Sequence, residues 1–370
     1  MTDAVIPIHA IKGRGTATRM PHRFEKDTRS AWDDGWDTLQ DAASADAPRL
    51  ETELRFEDAK SAISRNVSPD IHFDYSVNPY RGCEHGCVYC FARPTHSYLN
   101  LSPGLDFETK IIAKRNVVQA LRADLGKRSY VPKLLNIGSA TDCYQPAERE
   151  LKLTRGVIAL MQELRHPFSL VTKSSGVERD IDLIAPMAAD KLAAVYITIT
   201  TLDGELARTL EPRAAAPHRR LRTIETLAAA GIPVGVSVAP QIPFVNEDME
   251  QVLQAAWQAG ARSAFYTVVR LPWEVAPIFK VWLELHYPQR AARIMVRIHD
   301  MHGIDDDARR RGKDYDSDFS TRMKGSGLWA DLIRQRFEKA CARLGLNRER
   351  IELDLSQFQP PSAAGQSCLF

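Results

Sequence analysis

The chain has 370 residues, 44% hydrophobic and 26% charged, with a formal net charge of +2, the balance of a globular protein long enough for one large domain with extensions or for two. So small a charge excludes bulk electrostatics as an argument for nucleic-acid binding, and any polyanion contact has to come from a local patch. The start turns charged at once and no stretch reaches the roughly 18–20 apolar residues of a membrane span, so a cytoplasmic, thiol-reducing setting is expected, in which six cysteines do not read as a disulfide framework.

Residues 1–62 are polar and lack clean periodicity, and read as an extension draped over a core, with Trp32 and Trp36 as anchors. Residues 63–300 read as the core domain. "HFDYSV" predicts a strand leading into a cysteine-rich loop, and "ETKIIAK" predicts another, followed by the helix "VVQALRADLG" capped by Asn116. Five apolar runs follow: "KLLNIGS", "FSLVTK", "LAAVYITIT", "IPVGVSVAP" and "SAFYTVVR". The segments between them place apolar residues near i, i+3, i+4 and i+7, the period of amphipathic helices. Nearly continuous apolar strands alternating with helices mean a parallel sheet covered on both faces. The fold class is α/β, a partial (β/α)6 TIM-like barrel of parallel strands, favoured over an open doubly wound sheet. No GxGxxG or Walker-type loop occurs, so nucleotide-cradling glycine loops are not supported. Residues 301–370 read as a helical region and tail, with charged helices over "DARRRGKDYDSDF" and "WADLIRQRFEKACARLGL".

The segment "NPYRGCEHGCVYCFARPTH" holds Cys83, Cys87 and Cys90 in a C-x3-C-x2-C spacing, with Gly82 and Gly86 to let the backbone curl. Thiolates select zinc, copper(I) or iron–sulfur clusters. A structural zinc site needs four closed ligands, and no second CxxC occurs, so His85 or His96 would have to complete it. Three thiolates and one vacancy suit a 4Fe–4S cubane with one iron left open for chemistry.

"CEHGCVYC", with Tyr89 before the last cysteine and a β/α repeat after it, resembles the cluster loop of the radical S-adenosylmethionine (radical SAM) superfamily. "SATDCYQPAE", "TKS" and "LEPRAAAPHRRLRTIETLAAAGIPVGVSVAP" are similar to the spore photoproduct lyase-like branch, over roughly residues 65–300. The resemblance implies a 4Fe–4S cluster held by Cys83, Cys87 and Cys90, and S-adenosylmethionine (SAM) chelating the open iron. It implies reductive cleavage of SAM to a 5′-deoxyadenosyl radical, hydrogen abstraction from a substrate, and an electron donor such as flavodoxin or ferredoxin. Carried over by position, Tyr89 lies against the adenine, while Ser139, Thr141 and Asp142 meet the SAM amino group. Lys173 and Ser174 meet its carboxylate or ribose, Thr198 and Thr200 the ribose, and Ala239 lines the adenine side. All stand at the C-terminal ends of strands, where such barrels build active sites. Glu211 and Arg213 are read as a site-facing ion pair or a surface loop pair. Where the lyase uses a strand-end cysteine to return a hydrogen atom this chain has Ser139, so Cys143 is the candidate donor if its loop turns inward, and otherwise a buried hydrophobe.

DNA, and with it a repair-type lyase, is implied by the resemblance alone. "HRRLR" (218–222) and "RRRGK" (309–313) are basic enough to touch phosphates. The last residues, with Gln366, Leu369 and Phe370, are similar to peptides that dock on the replication sliding clamp. Two other classes stay open: a non-catalytic zinc module built on the three cysteines and a histidine, and a clamp-associated repair accessory whose cluster only senses redox state.

Overall fold

The computed structural model describes residues 10–25, 50–303 and 313–361. Trp32, Trp36, the run 309–312 and the tail residues Gln366, Leu369 and Phe370 lie outside the described residues.

The main sheet has seven strands, β2 (Ile63–Arg65), β3 (Tyr75–Val77), β6 (Leu135–Ile137), β7 (Phe168–Thr172), β8 (Ala193–Thr198), β9 (Val234–Ser237) and β10 (Ser263–Phe265), in spatial order β10-β9-β8-β7-β6-β3-β2. The six from β3 to β10 run parallel, and β2 pairs antiparallel on the edge. This is the partial six-stranded β/α arrangement expected, and β10 does not pair with β2 to close it. The crossover helices include Val117–Leu125, Leu153–Glu163, Ile181–Ala189, Pro217–Ala229 and Met249–Gln258. Val195, Ile197, Val234 and Val236 are buried with these helices in one core, each contributing about 1.5–3 kcal/mol by leaving water. The helix Gly327–Leu344 adds Ile333, Phe337 and Cys341 to the same core.

A smaller sheet holds β1 (Glu53–Glu57), β5 (Lys110–Lys114) and β4 (Tyr80–Arg81), in order β1-β5-β4. The "ETKIIAK" strand therefore stands beside the cysteine loop, outside the barrel sheet, parallel to β1 and antiparallel to β4. Two local expectations are corrected. Asn116 occupies the N-cap position without capping: its Oδ1 accepts the Ala59 amide at 2.8 Å and its Nδ2 donates to the Ala59 carbonyl at 3.0 Å. Residues 313–319 form no helix, and the Leu271 amide instead donates to the Asp314 carbonyl at 3.2 Å. No described helix is long and apolar enough to cross a membrane.

Candidate functional site

The cysteine loop leaves β4 and is folded by buried polar groups. Gly82 and Gly86 have φ of 78° and 67°, the left-handed region that glycine enters without a Cβ penalty. The Cys83 amide donates to the Phe107 carbonyl at 2.9 Å, and the Val88 amide to the Leu210 carbonyl at 3.1 Å. Fully buried Gln145 accepts the Glu84 amide at 2.9 Å and donates to the Gly82 carbonyl at 3.1 Å. Fully buried Arg93 donates to the Cys87 carbonyl at 2.8 Å and the Gly86 carbonyl at 3.0 Å, and pairs with Glu108 at 2.6 Å. The Cys87 carbonyl also accepts the Cys90 amide at 3.3 Å, so the buried cation adds a second donor there and supplies one to the Gly86 carbonyl.

Cys83, Cys87 and Cys90 are free thiols, the first two buried and Cys90 half-buried. Burial pushes the Cys83 thiol well up, and neighbouring Asp142, Cys87 and Cys90 add to the shift. Burial likewise pushes Cys87 up to about 12, against the attraction of the Lys173 ammonium. Among the described residues no three His, Cys, Asp or Glu side chains converge closely enough to chelate a single ion. Neither His85 nor His96 closes a tetrahedron with the thiols here. His85 Nδ1 lies 3.2 Å from Asp142 Oδ2, and His96 Nε2 faces the Lys110 carbonyl at 3.1 Å. Three soft donors on one loop suit a cubane, which spreads its thiolates over separate irons.

Asp142 follows β6. Its Oδ1 accepts the Tyr144 amide at 2.9 Å and the Thr172 hydroxyl at 2.7 Å, and its Oδ2 accepts the Lys173 amide at 2.7 Å. Burial raises its pKa, but His85 and these donors outweigh burial and hold it well below the usual carboxylate range. With His85 beside it, a carboxylate's roughly four acceptor sites are occupied. Asp142 therefore ties β6 to β7 and the cysteine loop.

Lys173 Nζ stands 5.9 Å from the centre of the Tyr89 ring. Burial lowers its pKa, and the fields of Cys87 and Glu211 reverse that, leaving it raised. Tyr89 donates its hydroxyl to Glu211 Oε1, which also takes the Thr200 hydroxyl at 2.5 Å. Glu211 Oε2 pairs with Arg220 Nη2 at 2.5 Å, both side chains buried. Burial raises the Glu211 pKa, yet Arg220, Lys173 and the two hydroxyls pull it down to about 2. The expected Glu211–Arg213 pair is thus replaced. Arg213 reaches Glu84 at 3.1 Å instead. Within "HRRLR", Arg220 is internal and Arg219 pairs with Glu178 at 2.6 Å, while His218 and Arg222 are exposed.

The other candidates hold quieter places. Ser139 Oγ accepts the Asn78 amide group at 3.4 Å, and Thr141 donates to the Tyr80 carbonyl at 3.1 Å. Ser174 caps a short helix by accepting the Gly176 amide at 3.1 Å. The Thr198 carbonyl accepts Arg220 Nη1 at 3.0 Å, and the Ala239 carbonyl faces the Thr200 hydroxyl at 3.4 Å. The loop of Cys143 does not turn inward. Its side chain is fully buried in the main core, and its Sγ lies 4.0 Å from the Ile137 carbonyl.

Residues 77–256 match the radical SAM superfamily. An uncharacterized protein of Mycobacterium tuberculosis is 37% identical over 239 residues, 63% of this chain and 70% of that protein. The chain belongs to the radical SAM superfamily. An uncharacterized protein of Methanocaldococcus jannaschii is 28% identical over 231 residues, 62% of this chain and 82% of that one. Among solved structures, spore photoproduct lyase in complex with a dinucleoside spore photoproduct shares the fold, with a TM-score of 0.54 and 15% identity, covering 79% of this chain and 80% of that one. A mutant of that lyase was solved with bound SAM, at a TM-score of 0.50 and 14% identity. The cofactors of this radical SAM protein are a 4Fe–4S cluster and SAM. Arg93, Glu108 and Gln145 were missed by reading the sequence, while His85 was read only as a zinc ligand and Arg220 only as part of a basic cluster. Arg93 follows Cys90 closely in the chain, but Glu108 and Gln145 lie far from the three loop cysteines in sequence and carry no such mark.

Proposed function

We propose that this protein is a radical SAM enzyme whose Cys83, Cys87 and Cys90 hold three irons of the cluster, leaving the fourth to SAM. When bound and reduced, the cluster supplies the electron that cleaves SAM to a 5′-deoxyadenosyl radical, which abstracts hydrogen from the substrate.

The chain's own residues serve binding and orientation. Lys173 is a cation with no ion pair among the described residues, and supports the reading of a carboxylate or ribose contact. Tyr89, locked by Glu211 and Thr200, offers a ring that cannot rotate away, a preformed face for adenine. Thr200 spends its hydroxyl on Glu211 and acts behind Tyr89 rather than on the ribose. Asp142 spends its carboxylate on Lys173, Thr172 and Tyr144 and positions these groups. Apolar Val88, Leu210, Val269 and Leu271 are buried around the loop and keep water from it.

For the substrate we carry DNA and a lyase reaction, on the shared fold of spore photoproduct lyase. Cys143 in the core and Ser139 at the strand end do not supply an open thiol at that place. A hydrogen donor of another kind, or a reaction needing no returned hydrogen from the protein, follows from this reading. The observation that carries the proposal is the three-thiol loop beside an ammonium with no ion pair among the described residues. Anaerobic protein is incubated with dithionite and SAM, beside Cys87→Ala. The proposal expects 5′-deoxyadenosine from the parent and none from the variant, and its absence from both refutes it.

A further inference from the structure

The segment 10–25 reaches the cysteine loop along a path that the fold does not require. Glu108 is fully buried on the short helix Leu105–Thr109 behind that loop. Its Oε2 accepts the Gly15 amide at 2.9 Å, and its Oε1 accepts the Thr16 amide at 3.1 Å and the Thr16 hydroxyl at 3.0 Å. Arg14 Nη1 donates to the Glu108 carbonyl at 2.8 Å. The same Oε1 takes Arg93 Nη2, whose guanidinium grips the Gly86 and Cys87 carbonyls. The segment also touches the loop directly: a Cβ on Gly15 would stand 1.8 Å from the Gly86 carbonyl oxygen, a distance no side chain tolerates.

We infer that residues 14–16 are a working part of the cofactor site, fixing the backbone between Cys83 and Cys87 through Glu108 and Arg93. The inference rests on the reading of that loop as the cluster's holder. Its physical basis is that a buried guanidinium keeps its position only while its carboxylate partner is itself held. The strap supplies three of the four donors to that carboxylate. Loosening it frees Glu108, then Arg93, then the Gly86 and Cys87 carbonyls, and the thiolate spacing changes with them. Gly15, Thr16, Arg93 and Glu108 are positioning residues, since none of them need touch the cluster or SAM.

The test uses the full chain reconstituted anaerobically with iron and sulfide, as parent, Thr16→Val, Thr16→Ser and Gly15→Ala. Iron release to a chelator and the electron paramagnetic resonance (EPR) g-values of the reduced cluster are read. Thr16→Val, which loses one donor to a buried charge, releases iron about ten-fold faster with shifted g-values. Thr16→Ser keeps the hydroxyl and restores both. Gly15→Ala shows the larger change, and if it does not fold, the Val and Ser pair decides alone. Parent-like release and g-values in Thr16→Val overturn the inference while leaving the cofactor reading intact. A parent that takes up no cluster overturns both.

Discussion

Asp142 Oδ2 accepts the Lys173 amide at 2.7 Å, which makes an ammonium with no ion pair among the described residues depend on a carboxylate from the loop after β6. Lys173 directly follows β7 and Asp142 stands in the loop after β6, and the bond sets where the Lys173 side chain departs. Asp142→Asn keeps one acceptor and loses the other. We expect weaker SAM binding together with a loss of about 1–3 kcal/mol of stability, measured by calorimetric titration of reconstituted protein and by urea unfolding. Unchanged affinity would separate Asp142 from the cofactor.

Lys173 itself is tested by Lys173→Met, which keeps the apolar stem and removes the charge. The variant also removes the ammonium's attraction for buried Glu211, so stability falls modestly. SAM affinity falls by about ten-fold or more, the scale of one charge-assisted contact. Equal affinity in parent and variant would place the SAM carboxylate elsewhere.

The Glu211–Arg220 pair is buried, so removing one partner strands the other. Glu211→Gln costs about 3–5 kcal/mol in urea unfolding and loosens Tyr89. The double variant Glu211→Gln/Arg220→Met recovers part of that loss. Additive losses would show that the two side chains do not act as a pair. The acid response has a definite sign. The folded Glu211 pKa lies at about 2, below its ordinary 4.5, so its stabilisation is present above pH 4.5 and fades as pH falls toward 2.

His166 makes a second pH prediction, away from the site. Burial pushes its pKa down to about 4, against the hydrogen bond to the Pro167 carbonyl, and its Nε2 lies 2.6 Å from the Tyr130 hydroxyl. The unfolded chain takes up a proton near pH 6.5 and the folded chain only near 4. Stability is therefore full above pH 6.5 and falls between 6.5 and 4, by on the order of 3 kcal/mol. Urea unfolding at stepped pH should show this slope in the parent and a shallower one in His166→Gln. Equal slopes would assign the effect to other groups.

The β/α repeat and the three cysteines were legible because both are local patterns: period, spacing and glycine placement. What was not legible depends on pairings across the fold. Asn116 has every sequence mark of a cap, yet its amide answers Ala59, a partner 57 residues away. Glu211 and Arg213 stand two apart in a turn, but the carboxylate points inward to the helix carrying Arg220 while Arg213 points to Glu84. Cys143 adjoins Asp142 in sequence and faces the opposite way, into the core. Two of the residues that hold Glu108, Gly15 and Thr16, lie more than 90 residues earlier, in a segment without periodicity that nothing marked as part of the site.

The central claim is an open coordination position beside three protein thiolates. EPR of the anaerobically reconstituted, reduced protein, with and without SAM, addresses it most directly. The account predicts a 4Fe–4S signal whose g-values shift when SAM is added and which is absent in Cys87→Ala. A cluster signal indifferent to SAM, or a chain that takes up one zinc ion and no iron, would contradict it.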